Sequence, residues 1–351
     1  TGTTSSAASD VYKRQTDVSA LSPTIEVDTD CQTLSPASGV AQDFTNPISY
    51  TVQNEKGDKA VYEVTVLLED PVLPLPINWD QAAPMPVSFG WMPAVELDGK
   101  IYVIGGVNQD NAFNDMFVYD PETDTWDGSK AKMNIPRNGH SAEVLDGKIY
   151  VMGGIPAASG QAVKSMEVYD PQVDEWTAFG SMPQKTNAHA SAVADGKIFV
   201  IGGEPSEPPE GITYDEVYAY DPVEDSWITC APLPEARAWF TASYVDGKIY
   251  TFGGVNNDQY SIHKDIFMYD LATNTWEKAG AMKTERMAPG SCVINDHVFI
   301  LSGAPTVLSG GLAQVEVFSP VEQLIRSGSN ISKPRLASAV CSFQGKIFIV
   351  G

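Results

Sequence analysis

KIYVIGG (100–106), KIYVMGG (148–154), KIFVIGG (197–203) and KIYTFGG (248–254) are four versions of one phrase: a lysine, an apolar run and a glycine pair. HVFILSG (297–303) is a degraded fifth copy, and KIFIVG (346–351) is a sixth that reaches the last residue. The first-glycine position recurs in steps of 48 to 51 residues, a period that signals a repeat architecture. Each run follows a turn pair: Asp98-Gly99, Asp146-Gly147, Asp195-Gly196, Asp246-Gly247, Asn295-Asp296 or Gln344-Gly345. Asp-Gly accepts the positive φ of a type I′ hairpin, so it joins the apolar strand before it to the one after it. A second hairpin carries Tyr119-Asp120-Pro121, Tyr169-Asp170-Pro171, Tyr220-Asp221-Pro222, Tyr269-Asp270-Leu271 and Phe318-Ser319-Pro320. In four of these repeats a tryptophan follows seven residues after the tyrosine: Trp126, Trp176, Trp227 and Trp276. Each repeat therefore spells four short strands.

A four-stranded unit of this length with a glycine pair, Tyr-Asp-Pro and Trp resembles the kelch motif, whose repeats form the blades of a β-propeller. The resemblance covers residues 77–351 and implies an all-β, six-bladed propeller, with seven blades as the alternative. Glycines let neighbouring backbones approach, and the Tyr and Trp rings fill the wedge between twisted sheets. The sixth repeat supplies two strands before the sequence stops inside it. INWDQAAPMP (77–86) matches a Trp-bearing fourth strand and its linker, so it is expected to complete that last blade.

Residues 1–15 (TGTTSSAASDVYKRQ) are polar and patternless and are set aside as an unstructured, non-native leader. Residues 16–70 read as short strands: TIEVDTD, PISYTVQNEKG and the alternating AVYEVTVLLED. SPASGVAQDFTNPISYTV followed by KAVYEVTVLLED resembles a small immunoglobulin-like β-sandwich module of surface and secreted proteins of Gram-negative bacteria. That resemblance implies a spacer with PVLPLP (71–76) as a stiff linker, a location in the periplasm or on the outer cell surface, and a lipid anchor ahead of residue 1.

Acids outnumber bases 45 to 22, a net charge of −23 that repels polyanions and argues against nucleic-acid binding. No apolar run reaches the roughly 18 residues of a membrane helix. Cys31, Cys230, Cys292 and Cys341 lack paired metal-ligand spacing and read as small buried residues, with Cys292 and Cys341 on neighbouring inner strands. No metal and no cofactor is expected. G-x-S-x-G, H-E-x-x-H and P-loop motifs are absent, and four histidines without a cluster do not suit a kelch-type copper oxidase.

Kelch domains commonly bind ligands at the mouth of the central channel, through loops that enter the innermost strands and loops that follow the glycine pairs. Ten residues before the turn glycine stand Phe89, Arg137, Thr186, Arg237, Arg286 and Arg335. The four guanidinium groups offer planar forks for a carboxylate or phosphate. Arginine is also common here in the repeat itself, where it pairs with backbone or an acid. Three residues on stand Met92, His140, His189, Phe240, Pro289 and Ser338, where the histidines are either general acid-base groups or buried hydrogen-bonded side chains. Trp91, Trp239, Asn138 and Asn187 share these loops and suit a sugar. Glu204 opens the long acidic loop EPSEPPEGITYDE (204–216).

Two functions follow. One is an exported propeller that binds a carbohydrate or protein at its channel mouth. The other is implied by resemblance to the kelch-type N-acetylneuraminate epimerases: mutarotation of an acidic sugar, its carboxylate held by Arg137, Arg237, Arg286 or Arg335 and its proton moved by His140, His189 or Glu204. A cytoplasmic adaptor is a third reading, at odds with the surface-type module.

Overall fold

The structure, a computed structural model, describes residues 12–13, 20, 22, 31–44, 46–64, 68–69, 77–108, 111–156, 160–205, 212–259, 261–306 and 309–351. The expected TIEVDTD strand, the PVLPLP linker and the middle of the 204–216 loop fall largely or wholly outside these residues. The chain divides into two compact units, Thr1–Pro74 and Leu75–Gly351. No described residue lies in an α-helix, and no helix among them is long and apolar enough to cross a membrane.

In the first unit, strands Cys31–Ser35, Ile48–Asn54 and Lys59–Val64 form an antiparallel sheet. The Asn54 side chain makes the tight turn by accepting the Lys56 and Asp58 amides, with Gly57 at φ 85°. Tyr50 and Phe44 are its buried aromatics.

In the second unit, five four-stranded antiparallel sheets follow one another, and a two-stranded sheet comes last. Their innermost strands are Ala94–Leu97, Ser141–Leu145, Ala190–Ala194, Thr241–Val245, Gly290–Ile294 and Ala339–Phe343, called here the first to sixth blade. Each Asp-Gly pair has the double positive φ that a I′ hairpin requires, such as 51° at Asp98 and 78° at Gly99. The second hairpin is locked by its tyrosine. Tyr119 donates to Asp124 at 2.6 Å, and Tyr169, Tyr220 and Tyr269 repeat the bond to Asp174, Asp225 and Asn274 at 2.7 Å.

Blade stacking explains the unbroken apolar runs. Ile101 and Val103 pack with Ala339 and Cys341 of the sixth blade, while Tyr102 and Ile104 pack with Ile149 and Val151 of the second. A strand buried on both faces needs apolar side chains at every position rather than at alternate ones. The sixth blade thus meets the first.

The glycine pair makes room for the neighbouring entrance loop. A Cβ on Gly153 would stand 2.4 Å from the Thr186 carbonyl, and one on Gly154 would stand 2.7 Å from both the Asn138 carbonyl and the His140 Cβ. Loops that enter the inner strands can lie that close only where no side chain intervenes.

Candidate functional site

The six inner strands enclose an axial cavity of about 460 Å³. Its wall carries the hydroxyls of Ser141, Ser191, Thr241, Ser291, Ser338 and Ser342, with the carboxyls of Glu96 and Glu143. Among the described residues lining it there is no Lys or Arg. The hydroxyls also tie blades together: Ser291 bonds Thr241 at 2.7 Å and Ser243 at 2.9 Å, and Ser141 bonds His189 Nε2 at 2.8 Å.

Of the candidate site residues, Trp91, Trp239, His140 and His189 line this cavity, while Glu204, Asn138, Asn187 and the four arginines do not. The arginines were expected as a ring of forks at the opening; three of the four are instead fully buried within their own blades. Arg137 donates to the carbonyls of Gly153 and Ser165 at 2.8 and 3.0 Å and to Glu167 at 2.7 Å. Arg286 does the same with Ser302, Gln314 and Glu316. Arg237 bonds Gly253, Asp265 and Glu235 and lies 4.5 Å over the Phe267 ring. Arg335 is half-buried and donates to the Gly351 carbonyl. Each thus reaches the carbonyl at the first-glycine position sixteen residues on. Thr186 sends its hydroxyl to the equivalent Gly202 carbonyl at 3.2 Å. The geometry matches the other reading of this position: a side chain that clamps its loop to the end of the second strand.

Asn138 lies in the short strand Arg137–Asn138, paired with Ile155–Pro156, and its amide donates to the Ile155 carbonyl. Asn187 exchanges two backbone bonds with Glu204 and adds a side-chain bond to the Glu204 carbonyl at 3.1 Å. The buried Glu204 carboxylate accepts from Trp239 Nε1 at 3.0 Å and from the Asn257 amide. It anchors one of the two tryptophans that meet at 4.5 Å, Trp91 and Trp239.

Both histidines are wedged beside glycine pairs and buried. Burial pulls His189 down to about 4, and it pulls His140 well below its ordinary value, with Arg137 and His189 adding repulsion. They are neutral at physiological pH. The titrating group of the cavity is one not singled out from sequence, Glu143. Burial pushes its carboxyl up to about 7, against the 2.7 Å bond from Ser191 that favours ionisation. A signal for it existed. Four residues before the turn glycine position stand Val95, Glu143, Ala192, Ser243, Cys292 and Cys341, and Glu143 is the one acid in that row.

Cys292 and Cys341 are buried free thiols on adjacent inner strands, and burial pushes both upward. No cluster of metal-ligating side chains occurs among the described residues.

Comparison with known proteins agrees with the repeat. Residues 92–313 match the family described as Attractin/LZTR1 beta-propeller, and residues 4–66 match the one described as SGBP, N-terminal. Kelch-like protein 25 of Xenopus tropicalis is 29% identical over 212 residues, covering 58% of this chain and 35% of that protein. Beta-scruin of Limulus polyphemus is 26% identical over 266 residues, covering 71% and 28%. The chain therefore spans about a third or less of these relatives. Among solved structures, YjhT superposes with a TM-score of 0.62 at 18% identity, covering 90% of this chain and 99% of its own, a likeness of fold.

Proposed function

Because the chain belongs to the Attractin/LZTR1 β-propeller family of kelch-repeat proteins, we propose that it is a ligand-binding propeller whose axial cavity holds a hydroxyl-rich, carbohydrate-type ligand. The supporting observation is the cavity itself. Its 460 Å³ lies in the range of small-molecule sites, and six hydroxyls, two tryptophans and two carboxyls converge on it. Sugars are recognised by that combination of aromatic faces and short polar side chains. A protein ligand held on the loop faces is the alternative within the same family. Export to the periplasm or outer surface is part of the proposal, supported by the likeness of residues 16–70 to an immunoglobulin-like surface module.

A second reading, anomer exchange in the same cavity, is favoured by Glu143, because a carboxyl titrating at about 7 is poised to accept and return a proton near neutrality. Its acidic-sugar version finds no support in the cavity, where no guanidinium is available to hold a carboxylate. A neutral or basic sugar suits the wall better.

The test is a glycan array followed by titration NMR, with Ala94→Phe as the partner variant, since Ala94 lines the cavity wall and a larger side chain there crowds it. Binding that the variant loses while its melting temperature holds supports the axial site. Binding that survives the variant moves the ligand to an outer face. Proton NMR of freshly dissolved α-glucose and α-N-acetylneuraminate tests the second reading, and unchanged anomer exchange for both rejects it.

A further inference from the structure

The two ends of the cavity differ. At the loop face six residues at one repeat position, Trp91, Gly139, Ala188, Trp239, Ala288 and Ala337, all have φ between 47° and 62°. Their backbones form a ring. The amides of Gly139, Ala188, Trp239 and Ala288 each donate to the carbonyl of the preceding member at 2.6 to 3.1 Å, and Trp91 returns to Ala337 at 3.3 Å. Neighbours joined this way are about 5 Å apart, so opposite Cα atoms are only about 10 Å apart. The position is Gly or Ala in four blades. In the first and fourth, which face each other, it is tryptophan, and the two rings meet edge to face at 4.5 Å and 71° across the opening. Glu204 fastens one of them.

At the other end Glu96, Val144 and Ser342 line the wall, all half-buried, and beyond them the Asp-Gly turns expose Asp98, Asp146, Asp195 and Asp246. The wall carries two carboxyls and no cation. Glu96 turns one oxygen to the Gly99 amide at 2.8 Å. Glu143 lines the cavity and accepts one hydrogen bond among the described residues, from Ser191. Ser338, a lining residue more than nine-tenths buried, has its Oγ without a partner in hydrogen-bonding geometry. The described lining thus carries carboxyls with no Lys or Arg to balance them.

We propose that the cavity is a well, closed at the loop face by the tryptophan pair and open at the Asp-Gly-turn face, and that it takes a hydroxyl-rich ligand bearing an ammonium group whose cation sits against Glu143. This rests on the reading of the cavity as a carbohydrate site. A half-buried carboxylate with no cationic partner is costly even with one hydroxyl bonded to it, and a ligand that brings the cation removes that cost while an anion adds to it. The aspartates at the opening draw the same sign of charge inward. The serines and threonine meet the ligand hydroxyls.

Three sugars of one ring size that differ in charge test it: glucosamine, glucose and glucuronate, titrated by NMR against the full chain at pH 7.5. Glucosamine is expected to bind about tenfold tighter than glucose, and glucuronate weakest. Glu143→Gln should bring the ratio of glucosamine to glucose affinity to about one, with an unchanged far-UV circular dichroism spectrum and a melting temperature no lower than the parent's separating this from misfolding; a ratio that stays near tenfold overturns the assigned cation seat. Asp98→Asn with Asp146→Asn should slow glucosamine association and leave glucose unaffected; an unchanged rate overturns the assigned opening. Equal affinities for glucose and glucosamine overturn the charge selection and leave the carbohydrate site standing. Failure of all three sugars to bind overturns both.

Discussion

Glu143, on the second inner strand, and His189, just ahead of the third, are moved in opposite directions by the same cause. Burial disfavours the charged form, which raises an acid and lowers a base. Glu143, held near 7, contributes stability that is complete below about 4.5 and is lost as pH rises through 7. His189, held near 4, contributes stability that is present above about 6.5 and is lost as pH falls towards 4. Replacing Glu143 by Gln should therefore stabilise the protein at pH 8 relative to the parent by up to about 3 kcal/mol, with the gain vanishing by pH 5. Urea denaturation of both proteins at the two pH values measures this, and a gain independent of pH would mean that the carboxyl titrates normally. Sequence pattern located the histidines but not their environment. Three residues past His140 it also held Glu143, although a glutamate in a half-buried strand looks ordinary until five other strands close around it.

At the scale of the blade, the arginine ten residues before the turn is a clamp. Its guanidinium is shared between the carbonyl ending the second strand, a carbonyl of the third-strand side and, in the second and fifth blades, a buried glutamate. Glu316 also accepts the Lys283 and Thr284 amides, so the pair stitches the linker, the loop and the third strand together. Arg286→Met would strand that carboxylate and is expected to cost about 3–5 kcal/mol in urea denaturation. Arg335→Met, at the half-buried sixth-blade position, should cost under about 1 kcal/mol, because water can replace its partner. Similar small losses for both variants would show that the buried pair is not what holds the loop. The position and spacing of these arginines were legible in the sequence. Their direction was not, because the same residue type serves an anion site or a backbone clamp, and only the fold of the loop selects between them.

The whole second unit depends on how its ends meet. Trp126, Trp176 and Trp276 each donate their indole N–H to the linker ahead of their blade, at Ala83, Ala131 and Ala231. Trp79 makes the equivalent bond to Ser329 at 3.1 Å, so residues 77–86 occupy the linker and tryptophan places beside the fifth blade although they form no strand. Trp79→Ala should raise amide exchange in Leu324–Ser327 and Ala339–Val350 several-fold while the second to fourth blades keep their protection. Uniform change would mean that closure is shared by every blade. The sequence by itself determined the repeat, its four strands, its turns and the all-β propeller, because these rest on local conformational preference and on apolar runs that recur every 48 to 51 residues. Only the tertiary structure decided that three of the arginines are buried within their blades, that two tryptophans from facing blades meet, and that Glu143 lines an axial cavity whose described lining holds no Lys or Arg. Those facts depend on which side chains converge from blades up to half the chain apart, and burial and charge balance exist only after the strands have assembled around one axis.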